Sequence, residues 1–216
     1  MNQIHEPMTM LTDYLAFGVC LYLFLKLYLK AFNHQLSIKL YAWSFLLVGL
    51  GAFFGGTFHG FYKLLDASTL YIIWKLTGLL LVFASFAMTL GTTIAFFDGK
   101  IRQFIIICLL LKVLFGLYLI VTQDAFKFIV LDYSIGLIYI LIANLVQYFK
   151  TKQASSKFFI LAVGICFLGA GVQQGKISLH DHFNHNDLYH IIQIIALFAF
   201  YQGVLLMKDY KIQKNT

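Results

Sequence analysis

The chain has 216 residues, of which 61% are hydrophobic and 12% charged, with a mean hydropathy of +0.82. A soluble domain carries about a quarter charged residues, so this composition excludes a water-soluble globule. The formal net charge of +7 would suit a nucleic-acid surface, but no segment interleaves basic and aromatic residues in that way. The basic residues flank apolar runs instead, which is typical of membrane insertion. We therefore expect the lipid bilayer, and no nucleic acid, as a partner.

Seven apolar runs of about twenty residues predict an all-α bundle of seven transmembrane helices, forming a single integral membrane domain over residues 1–216. The runs are continuous and lack the two-residue alternation of barrel strands. The predicted spans are about 9–31, 37–58, 69–96, 102–122, 128–149, 157–174 and 187–207.

The charge distribution predicts how the bundle is oriented. Most of the 16 basic residues lie at one set of helix ends, and only Lys63, Lys127 and Lys176 lie at the other set. The positive-inside rule then places the amino terminus outside and the carboxyl terminus in the cytoplasm. In that orientation most of the histidines and acids fall on the outer side, as a metal site or a proton-handling site requires.

The second helix carries a candidate site residue near its outer end. Gly51, Gly55 and His59 recur every four residues and share one face. A stripe of small residues allows a neighbouring helix to approach closely, so His59 is predicted to point into the bundle. An inward histidine at this depth indicates a ligand or a proton carrier, and a structural, hydrogen-bonded histidine is the alternative.

The most polar segment leads into the seventh helix and covers residues 180–193. His190 lies about one turn inside the membrane, and His185 stands just before the helix. His182 is the substitute ligand if the loop folds inward, and His180 the next. A structural reading remains open for this segment, since an asparagine could cap the helix and Asp187 would be favoured in its first turn.

These residues suggest a metal centre. Imidazole suits Zn²⁺, and three protein ligands would leave a coordination position for water. We expect His59, His185 and His190 to be the metal ligands. Asp13 in the first helix and Asp187 are the candidate catalytic acids that would take or deliver the proton of that water, with an orienting role for the same groups as the alternative.

Three further charges lie deeper in the predicted helices: Lys75, Lys112 and Asp132. Charges in lipid are costly, so Asp132 is expected to pair with Lys75 or Lys112. A structural ion pair between helices is favoured over a catalytic role.

The arrangement of an acid in the first helix (Asp13), a histidine late in the second (His59) and two histidines at the start of the seventh (His185 and His190) resembles the superfamily of alkaline ceramidases and progestin and adiponectin receptors. The resemblance implies a zinc-dependent amidase or lipid hydrolase. In those families a serine stands four residues before the second-helix histidine, and the last motif is His-x-x-x-His. Here Gly55 takes the place of the serine, and Asn186 stands at the first position of the motif that ends at His190.

Residues 182–190, with the sequence HFNHNDLYH, are also similar to a signature of uncharacterised bacterial multi-pass membrane proteins. This second resemblance implies a bacterial plasma membrane protein and no particular activity.

The leading hypothesis is therefore a zinc-dependent membrane hydrolase of a lipid amide or ester, with its site near the outer face. The alternative is a non-enzymatic membrane sensor, metal-handling protein or proton-coupled transporter that uses the same His and Asp cluster. Haem held by paired histidines is a third possibility.

Overall fold

A computed structural model describes residues 4–29, 35–180 and 183–210 of the chain. Within these ranges the chain forms seven α-helices, all long and apolar enough to cross a membrane, which confirms the predicted all-α bundle. Each helix begins and ends within a few residues of its predicted span. The helices are α1 Pro7–Leu29, α2 Leu36–Phe61, α3 Ala67–Phe96, α4 Gly99–Thr122, α5 Lys127–Thr151, α6 Ala154–Gln174 and α7 His185–Leu206.

Carboxylates from beyond the helix ends cap α3 and α2. The Asp66 side chain accepts hydrogen bonds from the amide and the hydroxyl of Thr69 (3.0 and 2.6 Å) and so begins α3. These bonds hold the pKa of Asp66 below its usual 3.8. The first amides of α2 are capped from a distant part of the chain, because Leu36 N and Ser37 N donate to Asp209 at 2.9 and 3.2 Å. Asp209 follows α7, so this cap joins the last segment of the chain to the start of α2.

Six of the helices form a ring, in the order α1, α2, α3, α5, α6, α7 and back to α1. The remaining helix, α4, packs outside the ring against α3 and α5. One end of the bundle collects the starts of α1, α3, α5 and α7 and the ends of α2, α4 and α6. We call it the site end, and the opposite end the far end.

The main cluster of buried apolar side chains lies towards the far end of the bundle. Every helix of the ring contributes to it, and its members include Leu23, Tyr41, Phe45, Met88, Ile140, Phe159, Phe200 and Val204. Lipid tails are as apolar as these side chains, so close packing rather than exclusion of water holds the helices together. The centre of the site-end half is left less filled, and this is where a cavity lies.

Glycines set the close approach of α1 to α2. A Cβ atom at Gly49 would lie 2.7 Å from Cys20 Cβ, and one at Gly56 would lie 2.8 Å from Asp13 Cβ. The predicted stripe of Gly51, Gly55 and His59 lies on the adjacent face and lines the cavity, where a Cβ at Gly51 would lie 3.3 Å from Leu81 of α3. The helix contact is made by the glycines on the neighbouring face, and the expectation that His59 points inward is met.

A buried polar cluster attaches α4 to the ring. Lys112 Nζ lies 2.7 Å from Asp132 Oδ2 on α5 and donates at 2.7 Å to Ser85 Oγ on α3. Gly116 makes room for the carboxylate, because a Cβ there would lie 2.6 Å from Asp132 Oδ1. Of the two partners expected for Asp132, the structure selects Lys112.

Lys75 has a different role at the site end of the same helix pair. Its Nζ lies 2.7 Å from Asp124 Oδ1 and donates to the carbonyl oxygens of Ile120 and Gln123 at 2.6 and 2.8 Å. It therefore neutralises the carbonyl end of α4.

Candidate functional site

Polar side chains of α1 bind the first turns of α7 at the site end. The Thr9 hydroxyl donates to Asp187 Oδ1 at 2.8 Å, and Thr12 Oγ1 lies 3.0 Å from His190 Nδ1. Both pairs step by three residues along each helix, so they lie one turn apart on facing surfaces. These two contacts close the ring between its first and last helices.

An acid and an imidazole face each other next to this contact. His190 Nε2 lies 3.4 Å from Asp13 Oδ1, and both side chains are nearly buried, at 12% and 8% exposure. The Thr12 hydroxyl has one proton, which it donates to the carbonyl of Thr9 at 3.0 Å. With its proton directed to Thr9 O, Thr12 can accept from Nδ1–H of His190, and in that tautomer the acceptor nitrogen Nε2 faces Asp13.

A second histidine–carboxylate pair stands at the end of α2. His59 Nδ1 lies 2.5 Å from Glu6 Oε2, with both side chains about one third exposed. The backbone of the segment before α1 is attached to the same place, since His5 N donates to Gly60 O at 3.0 Å. Because Glu6 occupies Nδ1, Nε2 is the nitrogen of His59 that remains to act in the cavity.

Asp187 is part of a helix cap. Its Oδ2 accepts from Asn184 N at 2.7 Å, while Asn184 Oδ1 accepts from the amides of Asn186 and Asp187 at 2.7 and 3.3 Å. This reciprocal capping box begins α7. With Thr9 bound to its other oxygen, Asp187 has a partner on each carboxylate oxygen. The capping role that the sequence left open is therefore the one that the structure shows.

The Asp13–His190 pair and His59 line one cavity of about 320 Å³ in the centre of the ring. Its polar side chains gather at the site end, where Gln173, Asn186 and Gln193 join the acid and the imidazoles. Below them the lining is mainly apolar, with the hydroxyls of Ser44, Thr77 and Ser134 among it, and it reaches the buried core at Phe45, Met88, Leu137 and Phe200. The cavity thus has a polar end and an apolar end, as an amphiphile has.

The structure brings together three of the five predicted site residues. Asp13, His59 and His190 line the cavity, whereas His185 and Asp187 lie outside its lining. His180 lies in the loop before α7, where its backbone pairs with Phe183, and His182 falls outside the described residues.

The predicted zinc ligands do not surround one position in the described structure. Among residues 4–29, 35–180 and 183–210, no three His, Cys, Asp or Glu side chains are grouped so that they could hold one metal ion. His185 does not line the cavity that His59 and His190 share. The described part of the chain therefore does not assemble the predicted triad.

Sequence reasoning missed the residues that hold the site in place, namely Glu6, Thr9 and Thr12. A signal for two of them was present, because Thr9, Thr12 and Asp13 are polar residues spaced by three and four in an otherwise apolar helix. Glu6 gave no such signal, since it precedes the helix and meets His59 only through the fold.

The fold and site define the class as a polytopic α-helical membrane protein with a central amphiphilic cavity. Residues 8–209 match the Family of unknown function (DUF6962), so the chain belongs to that family. Comparison with curated proteins gives no match.

Proposed function

We propose that this protein is a membrane hydrolase that cleaves an amide or ester bond of a lipid at the polar end of its cavity. The observation that carries the proposal is the placement of the Asp13–His190 pair where the apolar cavity becomes polar. A lipid that enters with its chain in the apolar part would present its head-group linkage to these two residues.

The chemistry follows from the orientation of His190. Its Nδ1 is held by Thr12, so Nε2 can accept a proton from a water molecule that attacks the bound carbonyl carbon. Asp13, 3.4 Å from Nε2, would stabilise the imidazolium that forms. The imidazolium then returns this proton to the leaving nitrogen or oxygen as the C–N or C–O bond breaks, which releases the amine or alcohol and the fatty acid. His59 protonated on both ring nitrogens can donate from Nε2 to the developing oxyanion, while its Nδ1–H donates to Glu6 and fixes the ring orientation.

Zinc remains a prediction in this proposal. The described residues do not assemble three ligands, so every step above uses only the acid and the imidazoles of the chain. Elemental analysis of the purified protein, with and without His190→Ala, tests whether zinc binds at all.

The proposed orientation puts the polar end of the cavity on the outer side of the bacterial plasma membrane. At the far end, Lys26, Lys39, Lys100, Arg102, Lys150, Lys152, Lys157 and Lys208 lie in or next to the helix termini. Lysines near the site end are fewer, which by the positive-inside rule assigns the far end to the cytoplasm.

The test is hydrolysis by the purified full-length protein in lipid nanodiscs, using a panel of N-acyl amines and acyl esters with products detected by mass spectrometry. Asp13→Asn and His190→Gln should each lower kcat by about 10²-fold or more, which is the usual contribution of a general base. His185→Ala is the matched control, because this histidine lies outside the cavity and its loss should leave kcat unchanged. No turnover on any acyl lipid, or equal activity in all three variants, would contradict the proposal.

The alternative is a non-enzymatic sensor that binds an amphiphile in the same cavity. The observation that favours it is that Glu6 already pairs with His59, and Asp13 with His190, so these groups are stable without a reaction to perform. A transporter is less well supported, because the apolar cluster between the cavity and the far end leaves the described cavity closed on that side. Ligand binding that changes conformation without any product would favour the sensor.

A further inference from the structure

The polar end of the cavity has an acidic rather than a basic side chain in its lining. Asp13 lines the cavity, and Glu6 and Asp187 stand outside the lining, where they bind His59 and Thr9. Within the described ranges the lining contains no lysine or arginine, so nothing at the cavity wall would neutralise an anionic head group.

The lysines nearest the cavity either form ion pairs outside it or are exposed at the surface. Lys75 is held by Asp124 and the carbonyl end of α4, and Lys112 is buried with Asp132 outside the ring. Lys63, Lys127 and Lys176 are exposed at the site end. A phosphate entering the cavity would therefore lose its hydration without gaining a cationic partner, which is costly.

The Asp13–His190 pair presents two hydrogen-bond acceptors to the same point. In the tautomer in which Nδ1–H of His190 donates to Thr12, Nε2 is an acceptor, and it faces the Asp13 carboxyl oxygen at 3.4 Å. A proton must lie between these two atoms, and it comes from the Asp13 carboxyl itself or from a bound donor. An ammonium group has three N–H donors and a positive charge, so it can satisfy both atoms at once.

Aromatic rings along the cavity wall also favour a positively charged ligand. Trp74, Phe126, Tyr133 and Tyr189 all line the cavity, and the rings of Trp74 and Phe126 pack with centroids 5.7 Å apart. The faces of such rings attract cations, tryptophan most strongly. The remaining lining down to Phe45 and Phe200 is mainly apolar, and the hydroxyls of Ser44 and Thr77 donate to carbonyl oxygens of their own helices. Such a wall suits an alkyl chain.

We propose that the cavity binds a long-chain amine, with its ammonium group at Asp13 and His190 and its single alkyl chain directed towards Phe45 and Phe200. Binding requires no bond cleavage, so this inference is independent of the proposed hydrolase activity.

The experiment compares three ligands that share one alkyl chain and contain no hydrolysable amide or carboxylic ester: hexadecylamine, hexadecanol and hexadecyl phosphate. The full chain is reconstituted in zwitterionic nanodiscs, and binding is followed by the fluorescence of Trp74. The chain has two tryptophans, and Trp43 is 48% exposed on the lipid surface, so Trp43→Phe leaves Trp74 as the single reporter. Empty nanodiscs supply the correction for partitioning into the lipid.

With the native lining, hexadecylamine should bind at least about tenfold more tightly than hexadecanol, and hexadecyl phosphate should bind most weakly. The reason is that only the amine can form a buried, charge-assisted hydrogen bond with Asp13. Asp13→Asn should lower amine affinity by about tenfold and change alcohol affinity by less than about twofold. Asp66→Asn is the matched control, because it removes an exposed carboxylate at the same end outside the lining.

The proposal is overturned if the alcohol or the phosphate binds as tightly as the amine, or if Asp13→Asn keeps the full preference for the amine. If Asp13→Asn fails to bind even the alcohol, its fold has been damaged. The proposal is then judged only by the relative affinities of the three ligands for the protein that keeps Asp13. Hydrolysis data do not enter this result, so the two proposals fail separately.

Discussion

The buried pair of Lys112 and Asp132 provides a quantitative test of how α4 is held to the ring. The two side chains are 10% and 3% exposed, and Asp132 Oδ1 has no hydrogen-bond partner in the described structure. Removing one member leaves an uncompensated buried charge, which costs about 3–5 kcal/mol. We therefore expect Asp132→Leu and Lys112→Met each to lower the free energy of unfolding by about that amount.

The double variant separates a charge effect from simple loss of packing. Lys112→Met together with Asp132→Leu replaces both charges with apolar groups of similar shape, and such replacements are commonly neutral or stabilising. The double variant should thus unfold within about 1 kcal/mol of the wild type or be more stable, giving a large coupling energy in the double-mutant cycle. The assay is reversible unfolding in mixed micelles with increasing dodecyl sulfate.

The exposed pair of Lys75 and Asp124 is the control, because Asp124 is 76% exposed. Asp124→Asn should cost less than about 1 kcal/mol, as surface ion pairs do. The reasoning is refuted if Asp132→Leu costs no more than this control, or if the two buried substitutions destabilise additively.

Three further predictions concern the elements that support the site. Gly56→Ala should lower the free energy of unfolding by about 1–3 kcal/mol, seen as a lower thermal midpoint, because the new Cβ would press on Asp13 Cβ. Gly164→Ala is the control and should be neutral, since nothing lies within 4 Å of its new Cβ. Equal effects of the two substitutions would contradict the packing argument. Asp209→Ala should cost about 1–2 kcal/mol in the same assay through the lost cap of α2, and an unchanged midpoint would refute that role. Because the folded pKa of Asp66 lies below 3.8, its ionised cap stabilises the fold above that pH. The stability difference between wild type and Asp66→Asn should therefore change as pH falls through the folded pKa, and a pH-independent difference would refute it.

The number, type and approximate bounds of the helices could be predicted from the sequence, because each apolar run is local and its length is fixed by the thickness of the bilayer. The same locality identified Asp13, His59 and His190, since ionisable residues inside apolar helices are conspicuous when almost every neighbour is apolar. The sequence also offered helix capping as an alternative role for Asp187, because capping depends on residues that are adjacent in the chain.

The composition of the site depended on contacts between distant parts of the chain. His185 and His190 are close in sequence, yet the capping box at Asn184 starts α7 so that only His190 lies in the cavity lining. Glu6 and His59 meet because glycines bring α1 and α2 close together. Periodicity alone did not show which glycine face would meet α1.

The sequence by itself determined that the chain is a seven-helix membrane bundle with its acids and imidazoles concentrated at one end, because hydropathy and charge are read residue by residue. Only the tertiary structure decided that six helices surround a cavity while α4 stays outside, and that Asp132 pairs with Lys112 rather than Lys75. These choices depend on the rotation and closeness of packed helices. Such quantities arise from many weak contacts acting together, and no single stretch of sequence contains them.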